Sequence, residues 1–210
     1  HYNSIELNAT HYKIYGVKGI EKWAEKAKGK DFIFCPKMYK GVTHFGGLSN
    51  KKFLSDEFLR GVVAFKEQLG PIFIQVSDSF TPKRKDELFT YLKSLPTDLQ
   101  FFLEVRHQDW FGNETIREEL FSFLKDNNIG IVITDTAGKR GCAHMYLTIP
   151  KTFIRYVGNS LHATDFTRID EWVKRMKHWL DKGMEEFYFF MHMHDEATSP
   201  ELTIYLVDKM

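Results

Sequence analysis

Cysteine, charge of a dominant sign and long apolar runs are all scarce in this 210-residue chain. The two cysteines, Cys35 and Cys142, form no CxxC pair and no metal-ligand spacing. That excludes a disulfide framework or a zinc ribbon, and free thiols suit a reducing, cytoplasmic compartment. Lys+Arg 29 against Asp+Glu 28 leaves a net charge of +1, so nothing draws the whole molecule toward nucleic acid or an anionic membrane. Such binding would need a local patch. No apolar run approaches the roughly 20 residues of a membrane span, and no secretory signal is visible. No GxGxxG fingerprint is present, which argues against a nicotinamide or flavin enzyme. The loop GVTHFGG (41–47) has glycines without Walker spacing and reads as a flexible lid.

What is abundant is core material. Hydrophobic residues make up 43% of the chain, and phenylalanine alone numbers 19. Short β-like runs occur at YNSIEL (2–7), DFIFC (31–35), PIFIQV (71–76), QFFLEV (100–105), GIVIT (130–134), TFIRYV (152–157) and EFYFFM (186–191). Between most of them lie helical patterns. Phe58, Val62, Phe65 and Leu69 keep helical spacing over 55–70. Leu88, Leu92 and Leu95 do so over 81–96, Ile116, Leu120, Phe123 and Leu124 over 113–127, and Ile169, Trp172, Val173, Met176 and Leu180 over 165–183. The segment 137–151 carries no amphipathic pattern. Strand and helix alternating with short connections means βα units and a parallel sheet, either an α/β barrel or an open doubly wound sheet. A strand pattern begins at once after His1, so a further strand and helix are expected to precede it in a complete eight-unit barrel.

The stretch LQFFLEVRHQDWF (99–111) poses the functional question: an apolar strand ends in Glu104, Arg106 and His107. In a strand, alternate residues share a face. On that period the inner sets are Glu6 and Asn8; Cys35 and Lys37; Phe73 and Gln75; Phe102, Glu104 and Arg106; Ile133 and Asp135; Phe153 and Arg155; Phe190, His192 and His194. Beyond the first, each begins apolar or small and ends polar. An enzyme barrel needs that arrangement, because reacting groups sit where strands end and βα loops begin.

Seven stretches, SIELNATHY (4–12), FCPK (34–37), GPIFIQVSDSF (70–80), FLEVRHQDWF (102–111), VITD (132–135), IRYVG (154–158) and FYFFMHMHDEATSPE (187–201), together resemble the YecE-like family, domain of unknown function 72. The similarity spans essentially the whole chain. It implies a single TIM-like (β/α) barrel domain over 1–210, with a first strand and helix ahead of the segment at Ile5–Asn8. The family's polar strand-end positions match at Glu6, Lys37, Gln75, Glu104, Arg106, Asp135 and Arg155. The last strand departs, reading Met191-His192-Met193-His194-Asp195 where the family is often rich in asparagine. The family's activity is not established, so the resemblance supplies a fold and a site but no reaction.

The residue types suggest the chemistry. Carboxylates at Glu6, Glu104 and Asp135 are candidate catalytic acids or bases. Arg106, Arg155 and Lys37, with Gln75, Asn8 and His107, are candidate substrate contacts that would clamp a small or oligomeric anionic substrate. Cations interleaved with carboxylates disfavour a hard metal, although His192 and His194 share a face and are candidate ligands. No cofactor is called for, and a hydrolase or lyase is preferred. Bland readings stand beside these. Glu104, Arg106 and Arg155 neutralise one another in a structural layer; His107 caps a loop over a buried Trp110; Gln75 satisfies backbone groups. Two other functions remain open. One is nucleic-acid association through Lys37, Tyr39, Lys40, Phe45, Lys51, Lys52, Phe80, Lys83, Arg84 and Trp110. The other is ligand binding without turnover. No membrane partner is expected.

Overall fold

The computed structural model describes residues 2–137, 141–193 and 195–210. Among the described residues there are seven strands: β1 Ser4–Leu7, β2 Ile33–Pro36, β3 Ile72–Gln75, β4 Phe101–Glu104, β5 Gly130–Thr136, β6 Lys151–Val157 and β7 Glu186–His192. β1 pairs with β2, and β3 to β7 form one sheet in sequence order. Every ladder is parallel. Two parallel bridges, Phe34 to Leu69 and Lys37 to Phe73, join the two groups. Among the described residues no ladder joins β1 to β7. A cavity of about 620 Å³ lies there, lined by Ile5, Glu6, Phe189, His192 and Leu206 among others.

A sheet of parallel neighbours needs crossovers, and amphipathic helices supply most of them. Helices Lys52–Val62, Lys85–Lys93, Glu114–Asp126 and Ala163–Asp181 follow β2, β3, β4 and β6 respectively. Asn113 caps the third, its Oδ1 accepting from Ile116 N at 3.1 Å. The long fourth helix buries Ile169, Trp172, Val173, Met176 and Trp179, and Gly183 at φ +90° lets the chain turn away behind it. Leu180, expected on that buried stripe, is exposed, and Trp179 takes the place. The pattern over 55–70 breaks after Val62 into a 3₁₀ segment, Val63–Gln68, with Lys66 at φ 55°. No helix lies in the described part of the β5–β6 connection, as the sequence suggests. Helix Val17–Lys26, with Ile20 buried and Trp23 and Ala24 packed against the core, and helix Ser199–Lys209 are two further helices that the sequence patterns above leave out.

The loop at 41–47 is not a free lid. Lys40–Thr43 is a helical turn with Val42 and Thr43 buried. Arg84 Nη2 donates to Gly46 O at 3.2 Å, and Leu48 N donates to Glu87.

Strands β3 and β4 are buried on both faces, which is why they read as unbroken apolar runs. On the inner face Cys35, Phe73, Phe102, Val132, Ile149, Phe153 and Phe190 form one cluster. The Phe73 and Phe153 ring centroids are 4.9 Å apart, although their strands are three positions apart in the order. In a flat sheet three spacings of about 4.8 Å would separate them by roughly 14 Å. The sheet is therefore strongly curled, with the aromatic layer inside the curl. Gly130 stands opposite Phe102, and a Cβ there would lie 2.2 Å from that ring.

A polar cluster on the inner face

One step beyond each inner apolar residue, toward the strand C-terminus, the same face presents a polar one. Lys37 follows Cys35, Gln75 follows Phe73, Glu104 follows Phe102, Thr134 follows Val132, Arg155 follows Phe153 and His192 follows Phe190. The parallel register aligns them: Gln75 opposes Glu104, and Thr134 opposes Arg155. The polar layer therefore sits directly on the aromatic one.

Arg155 is its hub. Its Nε and Nη2 donate to Glu6 Oε2 and Oε1 at 2.8 and 2.9 Å. Its Nη1 donates to Glu104 Oε2 at 2.9 Å and Oε1 at 3.2 Å. Glu104 also accepts from Gln75 Nε2 at 2.8 Å and Thr134 Oγ1 at 3.1 Å. Glu6 accepts from Asn8 Nδ2 at 2.8 Å, and His192 Nε2 lies 3.2 Å from its Oε2. Both carboxylates are buried. Burial pushes the Glu6 carboxyl up, but the His192 hydrogen bond and the Arg155 guanidinium prevail and hold it well below the usual range. Burial likewise opposes the charge of Arg155, and Glu104 and Glu6 more than offset this and raise its pKa.

Lys37 differs from these paired groups. Its Nζ donates to Gln75 Oε1 at 2.8 Å, a neutral acceptor, and lies 5.6 Å from the Phe73 ring centroid. The amide of Gln75 is oriented by its two neighbours, its oxygen accepting from Lys37 and its nitrogen donating to Glu104. Burial, then the nearby charge of Arg155, pulls the Lys37 pKa down to about 8, against partial support from Glu104 and Glu6. His11 and His44 pack beside one another with ring centroids 4.9 Å apart. Burial, then the charge of Lys37, lowers the pKa of His44. Burial lowers that of His11 to about 4, against the support of its 2.8 Å hydrogen bond to Met38 O.

Arg106 stands at the rim, its side chain 34% exposed, 3.2 Å from Asp78 Oδ1 and 3.8 Å from Glu104 Oε1. It lines a second cavity of about 330 Å³ with Asp78, His107, Thr134, Thr136 and Cys142. His107 caps the following turn, its Nδ1 accepting from Asp109 N at 3.2 Å. Cys142 Sγ donates to Arg106 O at 3.0 Å.

Glu6, Asn8, Lys37, Gln75, Glu104 and Arg155 thus converge as the strand period implies, with Arg106 at the edge. Asp135 does not. Inner positions on β5 belong to Val132 and Thr134, so Asp135 points outward, where Arg168 Nη2 approaches its Oδ1 at 3.0 Å and Trp172 Nε1 donates to its Oδ2 at 2.9 Å. Thr134 is the residue the sequence reading missed. His192 meets Glu6, and His194 lies outside the described residues. Among the described residues no group of three or more His, Cys, Asp or Glu is arranged to hold a metal. Of the candidate stacking residues for nucleic acid, Phe80 and Trp110 are buried, and Trp110 Nε1 donates to Phe80 O at 2.8 Å. No described helix is long and apolar enough to cross a membrane.

A family model described as "Protein of unknown function DUF72" matches residues 1–210. The chain is 24% identical over 220 residues to the UPF0759 protein YecE of Escherichia coli K12, covering 96% of this chain and 80% of that one. It is 26% identical over 132 residues to the UPF0759 protein YunF of Bacillus subtilis, covering 60% and 46%. Among solved structures it resembles a DUF72 family protein of Enterococcus faecalis, with TM-score 0.78, 16% identity and 99% and 84% of the two chains covered. A DUF72 family protein of Thermotoga maritima aligns with TM-score 0.71, 19% identity and 99% and 83% coverage.

Proposed function

The chain belongs to the DUF72 family, and from that membership and the cluster above we propose that it is an enzyme of TIM-like (β/α) barrel architecture performing acid–base chemistry on a small anionic substrate. Support for the barrel comes from the curl of seven parallel strands in sequence order. Support for catalysis comes from one observation above all. Side chains from all seven described strands meet in a single polar cluster at the strand C-terminal ends, the place where barrel enzymes carry their chemistry. Within it Glu6, Arg155 and Glu104 saturate one another and act as a rigid frame. Arg106 is the loosely tied cation suited to receive an anion. Lys37, with its pKa near 8, is the group able to exchange a proton close to neutrality. Two cysteines without CxxC or metal-ligand spacing fit a cytoplasmic setting. The nucleic-acid reading has less support, because two of its four aromatic candidates, Phe80 and Trp110, are buried, although Phe45 is exposed.

The test is calorimetric titration of the protein with small mono- and dicarboxylates and phosphate esters. At least one should bind with a shallow salt dependence, and Arg106→Gln should weaken it about tenfold or more, the scale of one charge-assisted contact. Saturable binding that is unchanged by Arg106→Gln overturns the assignment of the anion site. A steep loss of polymer affinity with salt supports nucleic-acid binding instead.

A further inference from the structure

The most distinctive group in the cluster is the Lys37 amine. It projects from the end of β2 with 8% of the residue exposed, and its recorded hydrogen bond goes to the Gln75 amide oxygen. Among the described residues no carboxylate lies within ion-pairing distance of it; Glu6 and Glu104 are both engaged by Arg155. Its floor is the Phe73 ring. The charged and titratable groups that face it are Arg155, Arg106, Glu104, Glu6, His11 and His44. A lysine desolvated against an apolar surface and crowded by other cations is one of the recognised ways of activating an amine as a nucleophile.

We propose that Lys37 is a catalytic nucleophile that forms an imine with the carbonyl of a small oxo acid, whose carboxylate is received by Arg106. This rests on the anion site proposed above and names its substrate class. The neutral Nζ attacks the carbonyl carbon, and a C–N bond forms while the C=O π electrons move to oxygen. The oxygen gains two protons, one from the nitrogen and one from solvent, and leaves as water. The second N–H proton stays on nitrogen, so the product is a protonated imine carrying one positive charge. No redox partner is needed. An imine at this position acts as an electron sink for the adjacent carbon, which favours a lyase over a hydrolase.

The test uses the wild-type full chain. It is incubated with glyoxylate or pyruvate and cyanoborohydride, which reduces only imines, and the labelled lysine is found by peptide mass mapping. Lys37 should be labelled first and to one equivalent, well ahead of the exposed lysines, with a rate that rises through pH 8. A neutral aldehyde of the same size should lose this preference, and Arg106→Gln should slow labelling by the oxo acid but not by the aldehyde. Lys37→Arg, which keeps the charge, should abolish the fast phase while circular dichroism stays unchanged. Labelling spread over exposed lysines, with Lys37 no faster than they are, overturns the proposal. If small anions still bind through Arg106 in that case, the anion site stands and only the imine is refuted. If they do not, both readings fall.

Discussion

Replacing Arg155 with Met removes the hub of the inner polar layer and keeps most of its bulk. The side chain is 14% exposed, and those of its partners Glu6 and Glu104 are 3% and 1% exposed. Breaking a buried pair on one side typically costs about 3–5 kcal/mol, because the orphaned charge stays out of water. Here two carboxylates lose the same cation, although His192 and Gln75 still contact them. The loss at pH 7.5 should therefore be at least about 3 kcal/mol, which for a chain of this size lowers Tm by roughly 6–12 °C. The pH dependence should also flatten. In the wild type the folded-state pKa of Glu6 is depressed. Its contribution is complete above the ordinary carboxylate pKa, and it fades as pH falls toward the depressed folded value. In Arg155→Met the His192 hydrogen bond still opposes burial, but the guanidinium no longer adds to it, so the depression of the Glu6 pKa shrinks. Acidification from pH 7.5 to about 3 then costs the variant less stability than it costs the wild type. Denaturant unfolding of both proteins at the two pH values reads this directly. A variant within about 1 kcal/mol of wild type at pH 7.5, or one that weakens in parallel with it on acidification, refutes the frame reading.

Asp135→Asn should cost about 1–3 kcal/mol by chemical denaturation, since it leaves Arg168 facing a neutral amide, while anion binding at Arg106 is unchanged; a loss of binding would return Asp135 to the site. Gly130→Ala should destabilise by about 1–3 kcal/mol, read as an earlier denaturation midpoint, because the new methyl meets the Phe102 ring inside a packed layer.

The sequence showed much of this fold because two periodicities are strong in it. Runs such as PIFIQV and QFFLEV are short, aromatic and β-branched, and the helices between them place apolar residues three and four apart. All seven strands were legible for that reason, with ends off by a residue or two. Helix Ser199–Lys209 was not, because it buries only Ser199, Leu202 and Leu206, whereas Val17–Lys26 does space Val17, Ile20, Trp23 and Ala24 along one face and is short rather than patternless. The inner face was legible wherever a strand alternated a large apolar residue with a polar one. GIVIT-DT offers no such contrast, since Ile131, Val132 and Ile133 are apolar alike and the strand is covered on both faces. Choosing the stronger acid put Asp135 inside. The pairing of Gly130 with Phe102 decides otherwise: the missing side chain at Gly130 makes room for the inner phenylalanine, and Val132 and Thr134 follow on that parity. Roles within the cluster were not legible at all. Glu104 and Lys37 look equally chemical in a sequence, and only their partners separate a carboxylate with every oxygen engaged from an amine held by one neutral amide.

That difference also bears on how charge is held. With Arg106 counted together with its 3.2 Å partner Asp78 at the rim, the buried layer holds Lys37 and Arg155 against Glu6 and Glu104. Arg155 takes both carboxylates, so a charged Lys37 has only a neutral amide beside it, and a charge held that way out of water is costly. The guanidinium cannot give up a proton, and Lys37 can. The neutral amine is the form that attacks a carbonyl. In the imine of an oxo acid the substrate carboxylate offsets the positive charge that the protonated nitrogen carries, which a neutral carbonyl compound does not supply.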